Sequence, residues 1–270
     1  MAETFVILNA DGALARQPFA VACSGDIGDG PAAVRLLGRD LVLWRSPGGN
    51  IIAAPDLCTH SRGILSHGQV TEGRLVCPKH GWTFGDEGRC VAKPSNMPIT
   101  EKAHLKTYPC TERYGLIWVS LGDPAAPVID IAWDGDERYR RTHTGVSVWR
   151  SNPIQIIEAL LAEADSPSAD ITAEVPFCVR ETLRPMGGGR HHRLLSCTPI
   201  DGRTSLVTSV IWSSRDDDDT KITDIATADL AELKSVSEAG GMRSPIVEIS
   251  DQEDTVLTDW KRRLVALVAP

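Results

Sequence analysis

The stretch CTHSRGILSHGQVTEGRLVCPKHGW, residues 58–82, contains two cysteines and two histidines in a paired pattern. Cys58 and His60 lie in its first part, and Cys77 and His80 lie in its last part. Zinc and a [2Fe-2S] cluster are the two groups that compete for such a set of thiolates and imidazoles. A structural zinc finger usually combines a Cys-x-x-Cys knuckle with two histidines on a helix. Here each short segment supplies one Cys and one His, which favours the two-iron cluster.

Composition and charge narrow the class of protein. The chain has 270 residues, 42% of them hydrophobic, which is enough for two domains. Its formal net charge of −8 argues against nucleic acid as a partner, since phosphate binding needs clustered Lys and Arg. We see no apolar run of the roughly 18 residues that a membrane span needs and no secretion signal, so we expect a cytoplasmic protein with no membrane partner. Seven cysteines indicate thiols or metal ligands rather than a disulfide framework.

The pattern of apolar residues divides the chain into two regions. Short β-rich runs broken by Gly, Pro and Asp predict a β domain over residues 1–125, and a Pro- and Asp-rich stretch places the boundary near residues 122–140. Residues 140–270 combine strand patterns with helices. The first of these helices is predicted to have Asn152 as its N-cap and Pro153 at its first position. The second region is therefore predicted to be α+β, a curved antiparallel sheet with helices packed on it.

The segment around the four residues resembles part of a known protein family. The segment CTHSRGILSHGQVTEGRLVCPKHGWTFGDEGRCV, with PAAVRLLGRDLVLWRSPGGNIIAAPDLC before it, resembles the cluster-binding domain of Rieske non-haem iron oxygenases, the ring-hydroxylating and demethylating family of alpha-subunit type. The match covers roughly residues 18 to 125. The resemblance implies an N-terminal all-β Rieske [2Fe-2S] domain followed by a helix-grip, catalytic-like domain.

The same resemblance implies a ligand set and a redox partner. It implies that Cys58 and Cys77 bind the inner iron of the cluster and that His60 and His80 bind the outer, more exposed iron. It also implies that a ferredoxin or a flavin reductase donates the electrons. Because two neutral imidazoles replace two anionic thiolates, we expect a reduction potential of roughly −150 to +300 mV, against about −400 mV for plant-type ferredoxins.

The second half of the chain departs from the family pattern. In the family, a helix carries two histidines five residues apart and an Asp three residues before the first, and a later carboxylate completes the mononuclear Fe(II) site. The corresponding segment here has Asp165 and Asp170 at the histidine positions and Ala162 at the Asp position. Asp254 falls on the later carboxylate. Three carboxylates without imidazole bind Fe(II) weakly, so we expect no mononuclear iron in this domain.

Three functional hypotheses follow from this contrast. In the first, the chain is an electron-transfer or auxiliary subunit, in a homo- or hetero-oligomer with a catalytic oxygenase homologue. In the second, it is itself an active Rieske mono- or dioxygenase, a hydroxylase or demethylase, with an altered iron site or with histidines from elsewhere, such as His143 or His191. In the third, it is a redox-sensing or scaffold protein. An active oxygenase should hold three irons per chain and an auxiliary subunit two.

Other chemically active side chains are interpreted without a metal. His191 and His192 are predicted to be surface residues of a strand, where neighbouring side chains point to opposite faces. His67 is predicted to pack in its loop or face solvent, and the acidic run at residues 216–219 to be a solvated loop. The remaining cysteines show no paired spacing and are interpreted as buried thiols: Cys23, Cys90, Cys110, Cys178 and Cys197.

Overall fold

The computed structural model describes residues 4–6, 11–94, 98–162, 169–183, 190–241, 243–248 and 255–269. The chain divides into two compact units. One comprises Arg16–Val128, and the other comprises Met1–Ala15 together with Ile129–Pro270. With strands numbered along the chain, β1 (Thr4–Val6) pairs antiparallel with β17 (Ile246–Glu248). This long-range pairing places the start of the chain with the C-terminal half, whereas the sequence pattern had assigned residues 1–125 to one domain.

The N-terminal unit is a β structure with short strands. Its described part contains ten strands, which form three antiparallel sheets in the orders β10-β11-β2, β3-β4-β5 and β6-β7-β8-β9. The strands are β2 (Phe19–Cys23), β3 (Ala32–Leu36), β4 (Arg39–Arg45), β5 (Ile51–Pro55), β6 (Gln69–Thr71), β7 (Arg74–Val76), β8 (Thr83–Phe84), β9 (Cys90–Ala92), β10 (Cys110–Arg113) and β11 (Leu116–Val119). This arrangement confirms the all-β class predicted for the first half.

One apolar core in this unit positions the candidate site. Trp44 of β4 and Phe84 of β8 are fully buried and belong to the same cluster as Leu65, which follows β5. Cys58 and Cys77 are members of that cluster. The two cysteines are therefore anchored by the burial of neighbouring apolar side chains from two sheets, and their loops extend outward from this core.

The C-terminal unit is α+β, as predicted. In its described residues a five-stranded antiparallel sheet has the order β12-β16-β15-β14-β13. The elements are β12 (Tyr139–Trp149), α1 (Pro153–Ala162), β13 (Ala169–Glu174), β14 (Cys178–Leu183), β15 (His191–Pro199), β16 (Ser205–Ser214), α2 (Asp219–Ala239) and α3 (Val256–Val268). Ile222 and Ala226 of α2 pack on Ile211 of the sheet, so the apolar face of this helix covers β16.

Side-chain caps define where two of the helices begin. The Asn152 carboxamide oxygen accepts hydrogen bonds from the backbone N–H groups of Ile154 (3.0 Å) and Gln155 (3.1 Å). This geometry confirms Asn152 as the N-cap of α1 with Pro153 at its first position, where a missing N–H costs nothing. At α2, Asp218 accepts hydrogen bonds from the backbone N–H groups of Thr220 and Lys221. A negatively charged cap is favourable at this end of the helix dipole.

Helix α3 is held on the sheet by one large side chain. Trp260 is fully buried, and its indole N–H donates to the carbonyl oxygen of Pro176 at 3.1 Å. Its ring centroid lies 6.4 Å from that of Phe177. Both contacts lie in the turn between β13 and β14, so Trp260 ties the C-terminal helix to the edge of the sheet.

We expect Trp260→Ala to lower the free energy of unfolding by about 3–5 kcal/mol, the range for truncating a buried aromatic side chain. Val256→Ala is the matched control, because Val256 lies in the same helix but is 44% exposed. Urea unfolding followed by circular dichroism measures both variants. Equal stabilities of the two variants would show that the indole does not anchor α3.

Candidate metal centre

Two loops of the N-terminal unit share one backbone hydrogen-bond pattern. In the first loop (residues 58–63), the N–H of Cys58 donates to the carbonyl of Gly63 at 2.8 Å, and the N–H of Arg62 donates to the carbonyl of Cys58 at 2.9 Å. In the second loop (residues 77–82), the corresponding bonds join residue 77 to residue 82 at 2.8 Å and residue 81 to residue 77 at 3.0 Å. Each loop therefore places its cysteine at the same position of the same turn.

The fifth residue of each loop adopts the left-handed backbone conformation. Arg62 has φ of 54° and Gly81 has φ of 65°. Glycine adopts this conformation without strain, and an added Cβ at Gly81 would lie 3.2 Å from a ring carbon of Pro94. The histidines occupy different positions, third in the first loop and fourth in the second, yet both side chains emerge on the exposed side.

The two thiols lie on the inner side of the loops. Cys58 and Cys77 are each 2% exposed. Burial raises the pKa of the Cys58 thiol to about 11, and the neighbouring Cys77 side chain adds to the shift. A thiolate at this position therefore needs a bound cation, which deprotonates a coordinating thiol outright. An added Cβ at Gly63 would lie 3.1 Å from the Cys77 sulfur, so glycine leaves space beside the thiols.

The two imidazoles lie on the outer side. His60 and His80 are exposed, and their ring centroids are 4.7 Å apart. The His60 ring is stacked on Trp82, with centroids 4.5 Å apart and planes inclined by 2°. The hydroxyl oxygen of Ser61 lies 3.1 Å from Nδ1 of His80. Neighbouring side chains thus hold both imidazole rings in defined orientations.

Side-chain hydrogen bonds fix the first loop to the rest of the unit. The Asp56 carboxylate accepts one hydrogen bond from the backbone N–H of Ser66 and one from its hydroxyl, both at 2.6 Å. The Thr59 hydroxyl donates to the carbonyl of Ala103 at 2.9 Å. An added Cβ at Gly68 would lie 2.2 Å from the carbonyl oxygen of Val76, so only glycine allows this approach to β7.

The donor atoms form two pairs rather than one four-membered group. Cys58 and Cys77 form a buried thiol pair, and His60 and His80 form an exposed imidazole pair. In the part of the chain that the structure describes, no three His, Cys, Asp or Glu side chains are placed to hold one metal ion together. A two-iron cluster with two thiolates on one iron and two imidazoles on the other fits the paired arrangement.

The positions that correspond to the second iron site of the family lie only partly within the described residues. Asp165 and Asp254 lie outside the described residues. Asp170 is exposed in β13, opposite Thr182 of β14, and Ala162 is the exposed last residue of α1. Asp170 therefore belongs to a strand, and its carboxylate faces solvent.

The prediction that His191 and His192 are surface residues was wrong for His192. That side chain is 8% exposed, and its ring is stacked on Trp133 with centroids 4.1 Å apart. Its Nδ1 lies 3.1 Å from the Thr182 hydroxyl, and burial lowers its pKa. His191 is partly buried, with Nε2 3.0 Å from the Asp217 carboxylate. A tryptophan outside the sheet covers this strand, which residue alternation along the strand does not reveal.

The acidic run at residues 216–219 is more structured than predicted. Asp217 accepts a hydrogen bond from the backbone N–H of Ser214 in addition to its contact with His191. Asp218 is the cap of α2, and Asp219 forms an ion pair with Arg140. These carboxylates are therefore already engaged by protein groups in the fold.

Among the described residues, the remaining candidates do not belong to a group of three possible metal ligands. His67 is exposed in a short 3-10 turn, in line with the solvent interpretation. His143 of β12 is partly buried, and burial and the nearby charge of Arg141 lower its pKa. None of the seven cysteines, all within the described residues, forms a disulfide, and Cys110 and Cys178 are partly exposed rather than buried.

Several residues of the site could not be identified from the cysteine and histidine pattern. Trp82 of the second loop stacks on His60, Ser61 of the first loop contacts His80, and Asp56 binds Ser66 beside the first loop. Lys93 places its ammonium group 4.3 Å from the centroid of the Trp82 ring. The sequence indicates only Trp82 of these residues, because a large aromatic side chain two residues after His80 is expected to pack on a neighbouring group.

Comparison with known proteins supports the identity of the N-terminal unit. Residues 17–109 match the family model described as the Rieske [2Fe-2S] domain. The chain is 44% identical over 94 residues to methylxanthine N1-demethylase NdmA of Pseudomonas putida, covering 34% of this chain and 26% of that protein. It is 38% identical over 114 residues to the oxygenase component of chloroacetanilide N-alkylformylase of Rhizorhabdus wittichii, covering 42% and 33%. The matched part thus spans about a quarter to a third of these relatives.

Solved structures share the fold over both halves. The structure of Pseudomonas putida CBB5 NdmA superposes with a TM-score of 0.77 at 23% identity and covers 94% of this chain and 89% of that chain. Apo dicamba monooxygenase gives a TM-score of 0.74 at 20% identity, covering 94% and 97%. These similarities confirm the fold predicted from the resemblance, a Rieske domain followed by an antiparallel sheet with helices. Of the helices in the described ranges, none has the length and apolar character needed to cross a bilayer.

Proposed function

Because residues 17–109 form a Rieske [2Fe-2S] domain, we propose that this chain is an electron-transfer subunit of a heteromeric oxygenase, with its cluster bound by Cys58, His60, Cys77 and His80. The observation that carries the proposal is the buried thiol pair beneath an exposed imidazole pair. A bound [2Fe-2S] cluster takes up and gives away one electron at a time. The imidazole side, at the surface, is where a redox partner can approach.

The protein residues supply the environment for this role. The apolar core excludes water from the side of the thiols, since Leu65 and Phe84 of this core are fully buried. The hydrogen bonds of Asp56 and Thr59 keep the first loop in place. Such support limits the change in protein geometry between the two oxidation states, which favours fast electron transfer.

The expected partners follow from this role. A ferredoxin or a flavin reductase supplies the electrons, and a homologue with a complete iron site receives them within a hetero-oligomer. One similar protein is named an oxygenase component and another a demethylase. These names describe those proteins, and they suggest that the recipient is an oxygenase of this kind.

The proposed auxiliary role is supported by the placement of the candidate iron ligands in the second unit. Asp170 stands where the family has an iron-binding histidine, and it is an exposed strand residue. His191 is engaged by Asp217, and His192 is stacked on Trp133 and contacts Thr182. We therefore propose that mononuclear Fe(II) is absent from this chain.

A second candidate is an active oxygenase with an altered iron site. It is favoured by the similarity to dicamba monooxygenase, which extends over 94% of this chain and so includes the sheet and helices of the second unit. Metal content separates the two candidates, since a second metal site would add a third iron to those of the cluster. In the auxiliary subunit, the second unit is retained for assembly with the catalytic homologue.

Reconstitution tests the electron-transfer role. A complex is assembled from this chain and a catalytic homologue whose own cluster ligands have been replaced, and product formation is measured with a reductase. We expect turnover with the parent chain and none with His60→Ala, because the electron path is then lost. His67→Ala is the matched control, an exposed histidine of the same region that is not a proposed ligand. Equal turnover with His60→Ala and with the parent would rule out the auxiliary role.

A further inference from the structure

Trp82 is a bridge between the apolar core and the exposed side of the site. It is partly buried and packs against the apolar core that includes Cys58 and Cys77. On one ring face it carries the imidazole of His60, parallel to within 2° at 4.5 Å. A flat ring held in this way restricts the rotation of an otherwise exposed imidazole.

Lys93 contacts the same indole. Its ammonium nitrogen lies 4.3 Å from the centroid of the Trp82 ring and donates a hydrogen bond to the carbonyl of Pro98 at 3.0 Å. A cation at this distance over a tryptophan is within the range of a cation–π contact. This hydrogen bond fixes the position of the Lys93 charge. The ammonium group of a surface lysine is normally not held in one place.

We propose that Trp82 and Lys93 are positioning residues for the cluster, with the Trp82 ring setting the orientation of His60 and the Lys93 charge raising the reduction potential. The inference rests on the proposed function, because it concerns the same ligand set. It adds to the four proposed ligands two residues that tune the electron affinity of the [2Fe-2S] cluster.

The positive charge of Lys93 decides the direction of the effect on the potential, and its distance from the ligands decides the size. The two separations of 4.3 Å and 4.5 Å bound the distance from the Lys93 nitrogen to the His60 ring centroid at about 9 Å or less. Reduction adds negative charge to the cluster, so a nearby positive charge stabilises the reduced form and raises the potential. The separation is close to the Debye length of about 8 Å at physiological ionic strength, and salt should weaken the effect.

The experiment measures the midpoint potential of the purified, cluster-loaded chain by spectroelectrochemical titration at low and at high salt. We expect Lys93→Met to shift the potential to lower values at low salt and Lys93→Arg to keep the parent value. The shift should shrink near 1 M salt, where the Debye length falls to about 3 Å. Lys106→Met is the matched control, because Lys106 also lies over an aromatic ring, that of Tyr108, in the same unit and outside both loops.

The EPR spectrum of the reduced protein tests the orientation of His60. Trp82→Phe keeps a flat ring and should keep the parent g values, whereas Trp82→Leu should shift them. Equal potentials for Lys93→Met and Lys106→Met, in a chain that holds the cluster, would overturn the role of Lys93, and unchanged g values in Trp82→Leu would overturn that of Trp82. A parent chain that binds no cluster would overturn the proposed function and this inference together.

Discussion

Replacing Cys77 by Ala is expected to remove the cluster. The iron content should fall from two atoms per chain, the number in a [2Fe-2S] cluster, to nearly none, and the visible absorbance should disappear. The reason is that Cys77 is one of the two buried thiols proposed as ligands, and it lies in a ligand-bearing loop. Iron analysis and absorption spectra of the purified variant measure the loss.

Cys90→Ala is the control for this prediction. Cys90 is 4% exposed and belongs to the same apolar cluster, so it matches Cys77 in burial and in side-chain chemistry. Its sulfur lies 3.7 Å from the carbonyl oxygen of Ala92, in strand β9 rather than in a ligand-bearing loop. We expect full iron content in Cys90→Ala. Equal iron loss in both variants would point to a general effect on folding, and retention in both would exclude Cys77 as a ligand.

His80→Cys is expected to lower the reduction potential by hundreds of millivolts. A neutral imidazole is replaced by an anionic thiolate, which disfavours the further negative charge that reduction adds. All-cysteine clusters of plant type lie near about −400 mV, against roughly −150 to +300 mV for clusters with two imidazoles. The variant should fall between the two groups. Redox titration at fixed pH, with absorbance as the signal, measures the change.

His67→Cys is the comparison for this variant, because it introduces the same thiol at an exposed position next to the first loop. Its potential should equal that of the parent protein. A potential of His80→Cys that stays within the parent range, with the cluster still bound, would mean that His80 is not a ligand. The loss of the Ser61 contact to His80 accompanies the change and cannot account for a shift of this size.

The repeated Cys-His spacing predicts that the segments 58–60 and 77–80 contribute to one site, and the structure brings the rings of His60 and His80 to 4.7 Å. The sequence could not show that the two loops share one hydrogen-bond pattern, since this depends on backbone angles at Arg62 and Gly81. It also could not show that Trp82 stacks on His60. That contact depends on how the second loop packs against the first.

The second unit shows the same division between local and long-range features. The cap of α1 by Asn152 is local and was predicted correctly. The pairing of β1 with β17 joins segments that are about 240 residues apart, so no local pattern indicates it. Burial of His192 depends on Trp133, which lies far from it in sequence. Alternation along a strand predicts which face a residue occupies and does not predict what covers that face.

Iron and acid-labile sulfide analysis of the purified chain, together with the EPR spectrum of its reduced form, tests whether the chain holds a [2Fe-2S] cluster with two imidazole ligands. We expect two irons and two sulfides per chain, a brown protein, and the signal of a mixed-valence cluster with imidazole ligation. A third iron would support an oxygenase site in the second unit instead of the auxiliary role. A colourless protein with stoichiometric zinc and no sulfide would contradict the assignment of Cys58, His60, Cys77 and His80 to a two-iron cluster.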